Sequence, residues 1–368
     1  MNPSIPKTQY FLVRLTPCDA FFFGTNTYAE LANPATYYTH SARFPQQTSL
    51  LGLVRYQLLL QAGLISRGDA TLSQAHAAEA LIGPGSFPAE GQNYGAIESI
   101  SPAFLLQGER NIPYLLRSHE FTQMLHSDED GPSRKEVFRR MANVNDKAYS
   151  LLDEAKPGSA YSLSPYSAKN EFVPLLISTG GPAFSLDEVL IPQHRDHNNK
   201  SLQGTNLDQG RFKSLSFRLK PGFGFGFYLA LANGQTLQND FITLGGRRSR
   251  FKMEVFPQDN PPEPFEPLQD LGARKGSRYL LLSDAYMDAN YLSLCQTVIG
   301  QVVQFRHHQT RTNRTATNYF ALPSFSEIKY LLGRGAILYL NKDTEPRALC
   351  AQYEDYHKIG YNHFLPID

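Results

Sequence analysis

Cysteine is scarce in this chain. Only Cys18, Cys295 and Cys350 occur in 368 residues, far apart and with no CxxC pair, which argues against a disulfide framework or a zinc knuckle. Apolar runs long enough to cross a bilayer are also missing, and no charged-then-apolar segment follows Met1. Both absences predict a cytoplasmic protein with no membrane partner. There is no Walker-type phosphate loop, and no GxGxxG leads from a strand into a helix, so the common nucleotide-binding folds are excluded. Net charge is nearly absent as well. Lys and Arg number 35 against 34 Asp and Glu, leaving +1, whereas a self-sufficient nucleic-acid binder carries a clear basic excess.

What is present is apolar and aromatic. With 41% hydrophobic residues, 24 Phe and 20 Tyr, the chain can fill one large core or two ordinary ones. Its 27 Gly and 24 Pro predict many turns. The small net charge hides strong segregation. Between 200 and 252 lie Lys200, Arg211, Lys213, Arg218, Lys220, Arg247, Arg248, Arg250 and Lys252, against only Asp208 and Asp240. A second window free of acids holds Arg306, His307, His308, Arg311 and Arg314. Charges act over roughly 8 Å in physiological salt, so one basic face is expected, with other faces left for protein neighbours.

Tyr10–Leu15 reads as a strand ended by Thr16-Pro17, and Phe21-Phe22-Phe23-Gly24 as an aromatic run breaking into a turn. From Ser49 to Leu64, Leu50, Val54 and Leu58 fall at helical spacing, with Thr48 or Ser49 as cap and Gly63 near the end. Arg55 is the one cation inside this helix; it either snorkels to the surface or aims at a ligand or partner. Residues 105–210 read as an insertion or projecting hairpin, with exposed loops at Ser127–Pro132 and Gln193–Lys200. His194 and His197 sit on an Asn-rich loop without further ligands, so no metal site is expected. In Gly222-Phe223-Gly224-Phe225-Gly226-Phe227 the aromatics share one strand face, close to an RRM base-stacking signature. Pro221 and Gly226 break the match, and a core strand with glycines for close approach is the better reading. Many strands and few helices make the fold class α+β.

Leu244–Lys252 is the most informative segment. Gly245 and Gly246 lead into Arg247, Arg248, Arg250 and Lys252, and Phe251, Met253 and Val255 alternate with the charged positions. An extended chain sends the two sets to opposite faces. Glycine allows φ > 0 or close approach of a partner's phosphate, and arginine's planar fork suits that phosphate. The plainer alternative is a solvated turn whose basic strand only discourages edge pairing.

Taken in order, three motifs resemble the RAMP superfamily of CRISPR-associated proteins. They are Leu15–Gly24, the P-x-x-x-S-L-x-G-x-x-R segment from Pro45 to Arg55, and Leu244–Arg248. The last resembles the glycine–arginine loop of subunit three of the type III-B (Cmr) effector complex, and Arg334–Ala336 and Ile359–Asn362 resemble its C-terminal strands. The resemblance implies two ferredoxin-like (RRM-type) RAMP domains, 1–210 with a long insertion and 211–368. It also implies a non-catalytic subunit that binds the 5′ tag of the guide RNA (crRNA) and meets target RNA only indirectly. Its neighbours would be the large cyclase/polymerase-like subunit and a RAMP backbone subunit, with no cofactor. The RNA-binding residues it suggests are Arg43, Arg55, Gly245, Gly246, Arg247, Arg248, Arg250 and Lys252 for phosphates, and Phe22, Phe23, Tyr361 and Asn362 for bases. Three alternatives stay open: the equivalent subunit of a type III-A (Csm) complex, a repeat-cleaving RAMP endoribonuclease using His40 or His307/His308, and a structural scaffold binding acidic partners.

Overall fold

A sheet decides this architecture. In the computed structural model, which describes residues 8–24, 37–68, 72–85, 87, 93–116, 121–124, 137–144, 148–151, 175–178, 184–197, 212–232, 234–260, 278–309, 324–341 and 344–367, nine strands form one antiparallel sheet. Their order is β10 (Phe184–Ser185), β9 (Leu175–Ile177), β5 (Ile112–Leu116), β4 (Phe104–Gln107), β13 (Phe223–Leu231), β1 (Gln9–Pro17), β15 (Arg250–Gln258) and β14 (Asp240–Thr243). β3 (Ile97–Ile100) pairs with β13 past the end of β4. A three-stranded sheet of β11 (Leu190–His197), β12 (Phe212–Leu219) and β2 (Tyr37–His40) lies beside it, with β12 and β2 parallel. A four-stranded sheet follows, ordered β17 (Cys295–Ile299), β22 (Ile337–Leu340), β16 (Arg278–Leu281) and β23 (Phe364–Ile367). Smaller ribbons are β18 (Val302–Phe305) with β21 (Lys329–Leu332) and β19 (His308–Gln309) with β20 (Ser324–Phe325). The described helices are α1 (Gln47–Gln61), α2 (Ala75–Ile82), the single turn α3 (Leu186–Val189) and α4 (Tyr353–Lys358). The fold class is α+β. No helix among the described residues is long and apolar enough to cross a membrane.

Alternation places the core where the sequence predicts it. On β15, Phe251 and Met253 are fully buried while Arg250 and Lys252 face solvent. Phe223, Phe225 and Phe227 line the same core from β13. The glycines between them admit neighbours, as the core-strand reading expects. A Cβ at Gly226 would lie 2.7 Å from the Leu106 side chain, and one at Gly224 3.0 Å from Arg14 Nε. Bases cannot reach these rings.

Several expectations need correction. A divide at residue 210 would cut the nine-stranded sheet, because β1 hydrogen-bonds to both β13 and β15; the sheets separate instead between Gln258 and Arg278. Of 105–210, β4, β5, β9 and β10 join the main sheet and β11 joins the three-stranded one. Among the described residues of this region, only β6 (Phe121–Met124), β7 (Val137–Val144) and β8 (Ala148–Leu151) pair solely with each other. Residues 193–197 continue strand β11, and the loop expected at Ser127–Pro132 lies outside the described residues. α1 begins at Gln47, ahead of the expected caps, and no side chain caps it.

That early start frees Gln47 for another task. Its buried amide donates from Nε2 to the carbonyls of Ser101 (2.8 Å) and Ile359 (2.9 Å), and Oε1 accepts from Ala103 N at 3.0 Å. Gly360 follows with φ +95, and a Cβ there would sit 1.9 Å from Gln47 Nε2 and 2.6 Å from Ser101 O. Arg334 adds a second tie, donating to Ala103 O at 2.8 Å with its guanidinium 4.2 Å from the Phe44 ring centroid. Apolar packing completes the junction: Leu280, Leu282 and Leu365 cover Leu12, Phe104 and Leu106.

Gly360→Ala combines a left-handed backbone with a clash against main-chain atoms, so it should cost more than about 2 kcal/mol. Gly63→Ala (φ +68, open space around its Cβ) should cost about 1 kcal/mol; denaturant titration of both variants checks the contrast. A pH test applies at the same end of the chain. Burial, and then the charge of the stacked His357, push His363 down to about 3. A depressed histidine favours the neutral form in the folded state. Stability should therefore be full above the ordinary histidine pKa near 6.5 and decline as pH falls toward about 3. His363→Phe should flatten that slope in thermal melts taken across the range.

Candidate nucleic-acid interface

The basic loop is built on a close approach within the chain itself. Phe22 pairs with Gly246 as an isolated bridge, and Gly246 N donates to Phe22 O at 2.7 Å. A Cβ at Gly245 (φ +81) would lie 2.5 Å from that carbonyl, and one at Gly246 3.0 Å from Phe22 Cδ1. The glycines are thus explained by Phe22, where the sequence suggested a partner's phosphate. Ser249 closes the loop from beneath. Its buried hydroxyl donates to Gly246 O at 2.8 Å and accepts from Phe22 N at 3.0 Å.

Between Gly246 and Ser249 the chain makes a tight turn, closed by Ser249 N to Gly246 O at 3.2 Å. Both central residues, Arg247 and Arg248, have φ +55. This is the sign pattern of a type I′ hairpin turn, where Asn-Gly is the usual occupant. Left-handed backbone costs a residue bearing a Cβ on the order of 1 kcal/mol. Two exposed arginines in succession therefore sit at positions that local stability alone would give to other residues.

The two arginines differ in their surroundings. Arg247 donates from Nη1 to Ser214 Oγ at 2.9 Å and lies over the Phe22 ring, 4.6 Å from its centroid. Arg248 is exposed, as is Arg250 on β15, and no hydrogen bond or ion pair holds either side chain among the described residues. Lys252 pairs with Glu254 at 2.7 Å, which offsets its charge. Through Ser214 the loop meets the β11–β12 hairpin. Arg195 stands opposite Ser214 in that register, and Arg218 on the same strand pairs with Asp19. Asp19 is held below the usual carboxylate range chiefly by the hydrogen bond from Arg218, with the Ala20 backbone and the charges of Arg218 and Arg195 adding to it. The segregated charge of the sequence therefore converges on one surface: Arg195, Arg218, Arg247, Arg248 and Arg250. Sequence reasoning missed Arg195, whose link to the loop runs through a cross-strand pair that no local pattern reveals. Lys200 and Arg211 lie outside the described residues.

Other candidates fall elsewhere. Phe23 is 3% exposed, stacked on Phe251 with ring centroids 5.9 Å apart, so it cannot receive a base. Phe22 is half-buried, but Arg247 takes its ring face. Tyr361 (1%) and Asn362 (0%) are interior residues. Asn362 Oδ1 accepts from Tyr286 N at 2.8 Å, so this tail pins the fold and does not reach RNA. Arg43 pairs with Asp187 at 2.9 Å. Arg55 stays largely inside the fold, 5.6 Å from the Tyr94 ring centroid, and burial lowers it to about 10. Of the second basic window, His307 is buried between Phe87 and Phe305, and Arg306 donates to Ser326 O at 3.0 Å. Arg311 and Arg314 lie outside the described residues.

Known proteins resemble this chain along nearly its whole length. The family described as CRISPR-associated protein (Cas_Cmr3) matches residues 13–368. A search of curated proteins finds no match. Among solved structures, the chain is similar to one in a cryo-EM structure of the type III-B Cmr-beta bound to cognate target RNA. Identity there is 12% and the TM-score 0.48, covering 97% of this chain and 96% of that one. The same assembly with target RNA and AMPPnP gives 12%, 0.47 and the same coverage. A crystal structure of a Csm3–Csm4 subcomplex in the type III-A CRISPR-Cas interference complex gives 12% and 0.37, covering 97% and 99%.

The loop geometry separates the two glycines. Gly245→Ala opposes a fixed carbonyl from a left-handed position and should cost about 2 kcal/mol or more. Gly246→Ala meets only the Phe22 ring and should cost about 1 kcal/mol or less. Melting temperatures of the two variants decide; equal losses would contradict the bridge to Phe22.

Proposed function

The chain belongs to the Cas_Cmr3 family of CRISPR-associated proteins, and from that premise we propose that its Gly245–Arg250 loop holds the 5′ tag of the guide RNA in a type III-B effector complex. Membership makes it a RAMP-superfamily subunit of a type III CRISPR effector. The finer role rests on one observation: two consecutive exposed arginines held in left-handed backbone, beside an Arg250 that has no ion-pair partner among the described residues. Strain of this kind persists where the surroundings enforce it and a ligand uses it. Arginine forks hold phosphate oxygens bidentately and keep their charge at any physiological pH. Phosphate contacts fix the register of a single strand and do not read its sequence, which suits a subunit that anchors one RNA end.

In this reading the subunit is not catalytic. Of the histidines an endoribonuclease would need, His307 is enclosed by aromatic rings. The sheets before residue 259 and those after residue 277 are taken as two RAMP domains of ferredoxin-like type. The faces away from the basic surface bind the large cyclase/polymerase-like subunit and the neighbouring backbone RAMP subunit. A net charge of +1 accords with a protein that grips RNA on one face and protein on the others.

For single-stranded RNA, each phosphate that a protein ceases to neutralise lowers the slope of log affinity against log salt by about 0.7. Arg248→Ala with Arg250→Ala should therefore flatten that slope by about 1.4 without lowering the melting temperature, measured by anisotropy of labelled repeat RNA. An unchanged slope would assign these arginines to a protein interface. Cleavage of repeat RNA by the purified chain, abolished in His40→Ala, would replace the whole reading with an endoribonuclease.

A further inference from the structure

We propose that Arg247 is a stacking platform for one splayed-out RNA base, while its neighbours Arg248 and Arg250 take phosphates. The inference rests on the loop being the RNA contact and assigns its members different chemistry. Three restraints fix Arg247: a left-handed backbone at φ +55, the hydrogen bond from Nη1 to Ser214 Oγ at 2.9 Å, and the Phe22 ring 4.6 Å beneath the guanidinium carbon. Arg248 shares the backbone conformation but neither side-chain restraint, and Arg250 has none of the three among the described residues.

The consequences for a ligand differ. A phosphate is gripped by the edge of the guanidinium, where the donors lie. Here part of that edge is spent on Ser214, and Phe22 occupies one side. The residue is nonetheless exposed. A planar cation backed by an aromatic ring and open to solvent is a surface on which a base stacks, as bases do on arginine planes in single-strand binding. The platform is ordered before RNA arrives, so binding need not freeze a flexible side chain. Phe22, half-buried beneath it, serves as the support and not as the stacking surface.

The test pairs a conservative variant with missing bases. The full-length chain is titrated with labelled single-stranded RNA copied from the repeat of the cognate array, and with copies abasic at one position each. Arg247→Lys keeps the charge and removes the plane. It should weaken binding roughly fivefold or more, with the salt slope unchanged. One abasic copy should weaken the wild-type chain by a similar factor and leave Arg247→Lys indifferent. If Arg247→Lys binds as the wild type does, and Arg247→Ala instead flattens the salt slope by about 0.7, Arg247 is a phosphate ligand and the proposal is overturned. If the wild-type chain shows no salt-dependent binding to any of these RNAs, the reading of the loop as an RNA contact fails first, and this one with it.

Discussion

One close approach organises the basic surface: the Phe22 carbonyl against Gly245 and Gly246. Phe21 and Phe23, on either side, are buried in a cluster with Phe225 and Phe251, so the segment between them cannot retreat. Phe21 also bridges to Phe217 of β12 and Phe23 to Ala42. The same three residues thus tie the main sheet, the three-stranded sheet and the loop together. At position 245 only glycine fits opposite such a fixed carbonyl, and the turn that follows inherits its course. The arginines stand out from the surface because an aromatic core behind them leaves no alternative.

How much of this is legible in the sequence depends on the range of the interaction. The alternation from Phe251 to Val255 announces its own two faces, and the Phe-Gly repeat of β13 announces a core strand, because strand periodicity is local. The glycine pair is recognisable as a site of close approach, but the approaching group is a carbonyl of the chain itself and not a phosphate. Phe22 lies more than 200 residues earlier, and nothing in the loop names it. Tyr361 and Asn362 mislead for a similar reason. The resemblance suggests them as RNA contacts, yet they are interior, and Gly360 is there because the Gln47 amide occupies the space a Cβ would need. The divide between the sheets escapes a reading of composition because β13 and β15 return to pair on either side of β1, a rearrangement that composition cannot register.

The charge pattern illustrates the same limit. Its concentration between residues 200 and 252 is plain in the sequence, but which cations remain available is not. Lys252 has Glu254, Arg218 has Asp19 and Arg43 has Asp187. Exposed pairs of this kind add little to stability, about 0–1 kcal/mol each, but they reduce the field that a polyanion would meet. Among the described residues, Arg247 and Arg248 of the turn and Arg250 of the adjoining strand have no carboxylate partner. A nearly neutral protein can in this way present a locally strong anion site while staying neutral enough elsewhere to pack against other proteins.

The amide of Gln47 has a bearing on how the chain is made. Its bond to the Ile359 carbonyl spans 312 residues, and β23, which completes the four-stranded sheet, begins only at Phe364. During synthesis, α1 and the main sheet have all their strands long before these partners leave the ribosome. Until then the amide of Gln47 and the apolar face formed by Leu12, Phe104 and Leu106 lack the cover they have in the finished molecule. Contacts of such long sequence separation form slowly, and uncovered apolar surface in a large folding intermediate invites aggregation. The nascent protein therefore carries an incompletely covered apolar surface until Leu365 emerges.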